Sequence, residues 1–167
     1  MSQTNELEIM ERIALDLGGV EESLASSFNT GAEDFNALIR PLSAAGGKRL
    51  RAQLCLLIAN AGTSVERQRI RIAEAVEMLH LATLIHDDVL DQAEIRRGED
   101  TIHMHKGNKV AILSGDYLFA KAFQIVSEMP NMKYLQIFSH IITCLVEGEF
   151  MQMEDVYRID QGIERYM

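Results

Sequence analysis

Three aspartates and two arginines stand close together in the segment LIHDDVLDQAEIRRG. Asp87, Asp88 and Asp91 come directly after an apolar run, and Arg96 and Arg97 follow a few residues later. Proteins usually hold Mg²⁺ through one or two carboxylates together with substrate phosphates. Arginine presents a planar fork of donors that matches phosphate oxygens. The segment therefore predicts a site where a magnesium ion and a diphosphate meet.

Helical periodicity predicts that two of the aspartates share one face with a histidine. At ~100° per residue, His80, Leu84, Asp87 and Asp91 fall on a single stripe of a helix. Two carboxylates one turn apart repel each other by about 0.2–0.5 kcal/mol, and by more where they are partly buried. A solvated charged face is the alternative for any acidic helix segment. Here the stripe continues into apolar residues, which favours a position inside the fold and a bound cation.

A second charged segment, AAGGKRLRAQL, begins a predicted helix with cations. Lys48, Arg49 and Arg51 each oppose the dipole of that helix by about 0.3–1 kcal/mol, so they need a compensating partner. A phosphate bound among these side chains and the free N–H groups of the first turn would supply one. For Arg49 we expect pairing with acidic neighbours on other helices. For Lys48 and Arg51 we favour the bound anion.

Composition indicates a folded, all-α protein. The 167 residues are 47% hydrophobic and include only two prolines, and Leu, Ala, Glu, Met and Arg favour helices over strands. A formal net charge of −9 disfavours nucleic acid as a partner, although a local basic cluster can still bind a small anion. We expect one domain that covers residues 1–167.

Periodicity and turn residues predict a series of helices. Between Gln92 and Asn108 the periodicity is weak, which predicts a loop. Gly18 and Gly19 could break the first helix in two, and Asn131 is expected to cap the helix that follows it. The predicted helices, with ends placed to within about 2–4 residues, are 4–27, 32–43, 48–61, 65–92, 108–128, 132–153 and 155–166.

Two features of the sequence bear on its compartment. Cys55 and Cys144 lie far apart in apolar surroundings, so they predict buried free thiols of a reducing compartment rather than a disulfide or a metal site. The N-terminus is acidic and amphipathic, which excludes a signal peptide, and no segment is expected to reach transmembrane length. These observations predict a soluble, cytoplasmic protein.

Four segments of the chain resemble a known family. These segments stand in order between about Phe35 and Gln152. Together they resemble the N-terminal half of a trans-isoprenyl (polyprenyl) diphosphate synthase. The resemblance implies a helical bundle of the isoprenoid synthase type, here truncated to about its N-terminal half. The segments are GGKRLR (46–51), EMLHLATLIHDDVLDQAEIRRG (77–98), KVAILSGDYL (109–118) and EGEFMQ (147–152).

The resemblance implies a prenyl transfer that depends on Mg²⁺. An allylic diphosphate ionises to an allylic cation, the double bond of isopentenyl diphosphate attacks that cation, and a proton is lost. Asp87 and Asp91 match the family's Mg²⁺ ligands, with Asp88 in support. Although a lone histidine on an apolar helix is more often a core residue, the place of His80 two turns before Asp87 favours ligand contact. The implied diphosphate ligands are Lys48, Arg51, His80 and Arg97 for isopentenyl diphosphate and Arg96 for the allylic diphosphate.

Product length is indicated by the residues just before the aspartates. In the family, bulky aromatic residues at these positions close the product tunnel early. Here they are Ala82 and Thr83, and their small side chains favour a product longer than fifteen carbons.

The resemblance covers only part of the family's sequence pattern. The family's C-terminal half, with a second aspartate-rich motif, has no counterpart in this sequence. The chain could be an N-terminal fragment, a truncated paralogue or one subunit of an assembly. Two functions stay open: a prenyltransferase, or a non-catalytic helical subunit or diphosphate-binding module that acts through a partner chain. Because the family forms homodimers or heterodimers, we expect a dimer of one kind or the other.

Overall fold

The computed structural model describes residues 3–44, 47–62, 65–156, 158 and 162–163. Helices joined by short turns dominate these residues, so the predicted all-α class is confirmed. The elements in chain order are α1 (Gln3–Ser27), α2 (Glu33–Ala44), α3 (Leu50–Asn60), α4 (Glu66–Leu90), β1 (Ile95–Arg96), β2 (Glu99–Asp100), α5 (Ile102–Lys106), α6 (Asn108–Ser127) and α7 (Met132–Asp155).

The chain divides into two compact units, residues 1–129 and 130–167. The first unit contains α1 to α6 and the second contains α7. The Asn131 side chain accepts a hydrogen bond of 2.9 Å from the N–H of Lys133, so it caps α7 as the sequence predicts. The expectation of a single domain over the whole chain stays a prediction.

Helix α4 is the centre of the first unit. It packs along α6 and also contacts α1, α3 and α5. Small residues allow a close approach to α6, because a Cβ added to Gly115 would lie 2.2 Å from Nε2 of His86. The buried apolar side chains of α4 and α6 include Ala73, Met78, Ala82, Ile85, Leu118, Ala122 and Ile125.

A buried ion pair and the hydrogen bonds of a second buried carboxylate join α1 to α4. Arg69 donates two hydrogen bonds, of 3.0 and 3.3 Å, to the carboxylate of Asp16, and both side chains are less than one-tenth exposed. Glu74 is fully buried and accepts hydrogen bonds from Ser23, Ser27 and Arg71. Burying a charge is costly unless it is paired, so these contacts fix the register between the two helices.

The first helix is continuous through its glycine pair, so Gly18 and Gly19 do not break it. A Cβ on Gly19 would lie 2.8 Å from Cδ1 of Ile70 in α4. The missing side chain therefore serves the close packing of α1 on α4 rather than a helix end.

The segment predicted as a loop between Gln92 and Asn108 is more ordered than expected. It forms the hairpin β1–β2 followed by α5, because Arg97 and Gly98 both take positive φ angles of 54° and 86°. Two positive φ angles are characteristic of the type I′ turn, which suits the twist of a two-residue hairpin loop. Arg-Gly is not the usual Asn-Gly or Asp-Gly signal, so the prediction missed the hairpin.

Three other expectations need correction or lie outside the description. Cys144 is exposed rather than buried, and Cys55 is half-buried; both are free thiols. Helix α6 is long and apolar enough to cross a membrane, contrary to expectation. However, 39% of its apolar stretch is buried, and the helix packs on α4. The predicted helix 155–166 falls largely on residues that the structure does not describe.

Removal of Asp16 tests the buried link between α1 and α4. We expect Asp16→Ala to lower the free energy of unfolding by about 3–5 kcal/mol, because it removes the carboxylate to which the buried Arg69 donates two hydrogen bonds. Urea unfolding would measure the loss. The control is Glu33→Ala, which removes a carboxylate from the exposed pair with Arg40 and should change little. Equal losses in the two variants would contradict the assignment.

Candidate active site

Asp87 and Asp91 lie at the C-terminal end of α4. Asp87 is in the last turn, and Asp91 is the residue that ends the helix, its N–H donating a 2.8 Å hydrogen bond to the carbonyl of Asp87. Burial raises the pKa of the Asp87 carboxyl, the charge of Asp91 raises it further, and Arg96 opposes both. Within the described part of the chain, neither carboxylate has an ion-pair partner. The pair is thus a repulsive negative site that Arg96 compensates only in part.

Asp88 has a different environment from its two neighbours. It is 7% exposed and accepts a 2.6 Å hydrogen bond from Nε of Arg96 in β1. This charged hydrogen bond ties the hairpin to α4 and is of the stronger class. The supporting role that the resemblance implies for Asp88 fits this contact, and Arg96 is held beside the aspartates.

Arg51 and His80 meet between α3 and α4. Nη1 of Arg51 lies 3.1 Å from Nε2 of His80. A guanidinium can only donate, so Nε2 accepts and His80 is neutral here, with its proton on Nδ1. Burial lowers the pKa of His80, and the charges of Arg51, Arg97 and Arg96 lower it further, while Glu77 raises it. Three cations, one from α3 and two from the hairpin, therefore act on one imidazole.

Lys48 and Arg97 approach the same region from the two turns. A Cβ on Gly47 would lie 3.4 and 3.5 Å from the terminal nitrogens of Arg97, so the guanidinium lies against the backbone just before Lys48. Lys48 is exposed, and no ion pair is described for it. The structure thus brings Arg51, His80 and Arg97 together and places the backbone before Lys48 beside Arg97; the resemblance assigns these four residues to isopentenyl diphosphate.

Arg49 is separated from this cluster, as the sequence predicts. Its side chain is 6% exposed and donates to Glu21 of α1 at 2.7 and 3.2 Å, and it lies 3.8 Å from Glu77 of α4. The hydrogen bond with Glu21 raises the pKa of the guanidinium. Arg49 therefore belongs to the packing of the bundle.

A cleft of about 910 Å³ lies between α2, α4, the hairpin and α5. Its polar lining includes Asp88, Arg96 and Arg97, and Leu81 and Leu84 contribute apolar surface from α4. Of the predicted site residues, the other five do not line this cleft.

The two carboxylates fit a magnesium ion that is also held by phosphate. Among the described residues, no group of three His, Cys, Asp or Glu side chains could hold a metal by itself. Mg²⁺ does not require such a group, because it usually keeps waters and takes one or two carboxylates plus phosphate oxygens. The charge of Asp91 helps to raise the pKa of Asp87. A cation bound between the two carboxylates would relieve this repulsion.

Sequence reasoning missed two residues next to the predicted site. The His86 ring packs on Phe119 of α6 with 5.4 Å between centroids, and its Nε2 lies 3.1 Å from the carbonyl of Ile112 and 3.5 Å from Asp116. Glu77 is buried beneath the cation cluster. Its spacing of three residues from His80 was an available signal, since i and i+3 share a helix face.

The residues that bear on product length are both small. Ala82 is fully buried, and Thr83 is half-buried and donates a 2.8 Å hydrogen bond to the carbonyl of His80. Neither residue therefore places a bulky side chain at these two positions before Asp87.

Comparison with known proteins points in one direction. The model of the Polyprenyl synthetase family matches residues 32–167. The octaprenyl diphosphate synthase of Escherichia coli K12 is 33% identical over 160 residues, which are 96% of this chain and 50% of that protein. The heptaprenyl diphosphate synthase component 2 of Geobacillus stearothermophilus is 37% identical over 153 residues, 91% of this chain and 48% of that protein.

A solved structure gives the same result for the fold. The polyprenyl synthase from Caulobacter crescentus CB15, complexed with calcium and isoprenyl diphosphate, superposes with a TM-score of 0.86 at 34% identity. The match covers 93% of this chain and 49% of that one. The chain thus spans about half the length of the relatives it matches.

Neutralising Asp87 tests the repulsion within the acidic pair. Without divalent cations at neutral pH, we expect Asp87→Asn to raise the free energy of unfolding by about 0.2–0.5 kcal/mol, because it removes a like charge one turn from Asp91. Urea unfolding would detect the gain. Asp34→Asn is the control, because an acidic residue in the first turn of α2 is favourable there. Destabilisation by Asp87→Asn would contradict the described geometry.

The lowered pKa of His80 predicts a pH dependence of stability. The unfolded chain takes up this proton near the ordinary pKa of 6.5, and the folded chain takes it up only at lower pH. The contribution of His80 to the free energy of unfolding is therefore fully present above pH 6.5. It is lost as the pH falls through the pKa that His80 has in the folded chain. Between about pH 7.5 and 5.5, wild type should lose more unfolding free energy than His80→Gln. Parallel curves would refute the lowered pKa of His80.

Proposed function

Because this chain belongs to the polyprenyl synthetase family, we propose that it carries the diphosphate- and magnesium-binding half of a prenyltransferase site. The reaction joins isopentenyl diphosphate to an allylic diphosphate. One observation carries the proposal: α4 carries a repulsive carboxylate pair at its end and, two turns earlier, His80, on which cations from α3 and the hairpin act.

The chain's own residues divide the two substrates between them. Arg96, fixed by Asp88, binds the allylic diphosphate beside the aspartates. Lys48, Arg51, His80 and Arg97 bind isopentenyl diphosphate, and the Nδ1–H of His80 is available as a donor. Preorganised cations of this kind stabilise the charge that develops on a departing diphosphate. Mg²⁺, held by Asp87 and Asp91 when bound, would add positive charge at the same leaving group.

Carbon chemistry then needs few groups from the protein. The C–O bond of the allylic diphosphate breaks, its electron pair stays with the departing diphosphate, and an allylic cation forms. The double bond of isopentenyl diphosphate attacks that cation to form a C–C bond, and the resulting cation loses a proton to the released diphosphate. Small Ala82 and Thr83 support a product longer than fifteen carbons, as does the octaprenyl product in the name of the E. coli relative.

A non-catalytic subunit is the second candidate. It is favoured by the name of the Geobacillus relative, which describes one component of a heptaprenyl diphosphate synthase. Helix α7 also leaves a stripe of large apolar side chains exposed at Ile137, Ile141 and Leu145. A dimer, with a second copy or a partner chain, is part of this proposal, as is a cytoplasmic location.

Magnesium-dependent binding of a diphosphate tests the proposal directly. Calorimetric titration with isopentenyl diphosphate should show tighter binding with Mg²⁺ than without it. In Mg²⁺, Asp87→Ala should bind about tenfold more weakly, a loss of about 1.4 kcal/mol. Asp34→Ala makes the same charge change in the first turn of α2, at a residue outside the predicted site, and should bind like wild type. Wild-type binding that ignores both Mg²⁺ and Asp87 would refute the proposal.

Turnover separates the two candidate functions. The chain would be incubated with labelled isopentenyl diphosphate, an allylic primer and Mg²⁺, with Asp87→Ala as the inactive control. Product formed at a rate that depends on Asp87 would exclude the non-catalytic subunit. Binding without turnover would favour the subunit that acts through a partner.

A further inference from the structure

Glu77 is a buried carboxylate of α4 that acts on His80 together with the cations Arg51, Arg96 and Arg97. It is 3% exposed and lies one turn before His80 on α4. Its Oε1 accepts a 2.9 Å hydrogen bond from the N–H of Ala52, and its Oε2 lies 3.8 Å from Nη1 of Arg49. One side chain of α4 therefore contacts both the residue that precedes α3 and the third residue of that helix.

The contact with Ala52 caps α3 from another helix. The first N–H groups of a helix have no partner within the helix, and Arg49, which precedes α3, makes no side-chain cap. The first turn of α3 also contains no acidic residue. Glu77 supplies the missing acceptor and a negative charge at the positive end of the helix dipole.

The backbone at Arg49 explains why the start of α3 needs this support. Arg49 has φ 45° and ψ 39°, a left-handed conformation that is unfavourable for a residue with a side chain. The turn sends Arg49 inward to Glu21 and Glu77, while Lys48 and Arg51 stay exposed. Glu77 thus holds both sides of a strained turn.

We propose that Glu77 is a positioning residue, which holds the start of α3 so that Lys48 and Arg51 face the diphosphate. This inference rests on the proposed function. Glu77 is buried and negatively charged, so it acts through Ala52 and Arg49 and does not touch the anion. Its own charge repels a diphosphate, so positioning and simple electrostatics predict effects of opposite sign when that charge is removed.

Two substitutions separate geometry from charge. Glu77→Asp keeps the charge but shortens the side chain, so it cannot reach Ala52 and Arg49 together. Glu77→Gln keeps the length but turns an amide donor toward Arg49 or Ala52. We expect about tenfold weaker binding of inorganic diphosphate in Mg²⁺ for Glu77→Asp, a loss of about 1.4 kcal/mol, and weaker binding for Glu77→Gln as well. An electrostatic effect alone would leave the first unchanged and make the second bind more tightly.

Glu74 offers a matched control on the same helix. It is also buried, but it bonds Ser23, Ser27 and Arg71 and has no described contact with α3. Glu74→Asp and Glu74→Gln should lower thermal stability and keep wild-type affinity for diphosphate. If Glu74→Asp loses as much affinity as Glu77→Asp, the effect is general destabilisation and the inference fails.

The remaining outcomes also decide between explanations. Wild-type affinity in Glu77→Asp, with wild type binding well, would overturn the positioning role and leave the proposed function intact. No binding by the wild-type chain would overturn both. If Glu77→Asp does not fold, the sign of the change in Glu77→Gln decides, since only positioning predicts weaker binding.

Discussion

The charges of the candidate site oppose the dipoles of the helices that carry them. Cations stand at the N-terminus of α3, whose first turn contains no acidic residue, and aspartates stand at the C-terminus of α4, whose last turn contains no basic one. Each such placement costs about 0.3–1 kcal/mol at an exposed helix end. An anion bound at the N-terminus of α3 and a cation bound at the C-terminus of α4 would each interact favourably with the helix dipole. The other contacts of the site hold the two charged segments in place when no ligand is bound.

The fold meets that need in the same way in both segments. In the Lys48–Arg51 segment, Arg49 turns inward and is neutralised by Glu21 and Glu77. In the aspartate segment, Asp88 turns inward and pairs with Arg96. One charge of each group therefore anchors the segment, and the neighbouring charges remain available to a ligand. Their exposure costs less than burial would, because water screens them.

Among the described residues, three with side chains have positive φ angles: Arg49, Gln92 and Arg97. Arg49 and Arg97 each lie in a turn next to a cation that acts on His80. Strained residues persist where surrounding contacts determine them, and here those contacts are the buried acids Glu77 and Asp88. Helix α4 carries both acids, so the long central helix aligns the two turns with its own aspartates.

The sequence alone predicted most helices, the common face of His80, Asp87 and Asp91, and the inward pairing of Arg49. These features depend on helical periodicity and on neighbouring residues, which are local properties of the chain. It did not predict the hairpin that carries Arg96 and Arg97, the exposure of Cys144 or the role of Glu77. The tertiary structure decided these, because Glu77 lies 25 residues from Ala52 in sequence, and left-handed turns at arginine are fixed only by such distant partners.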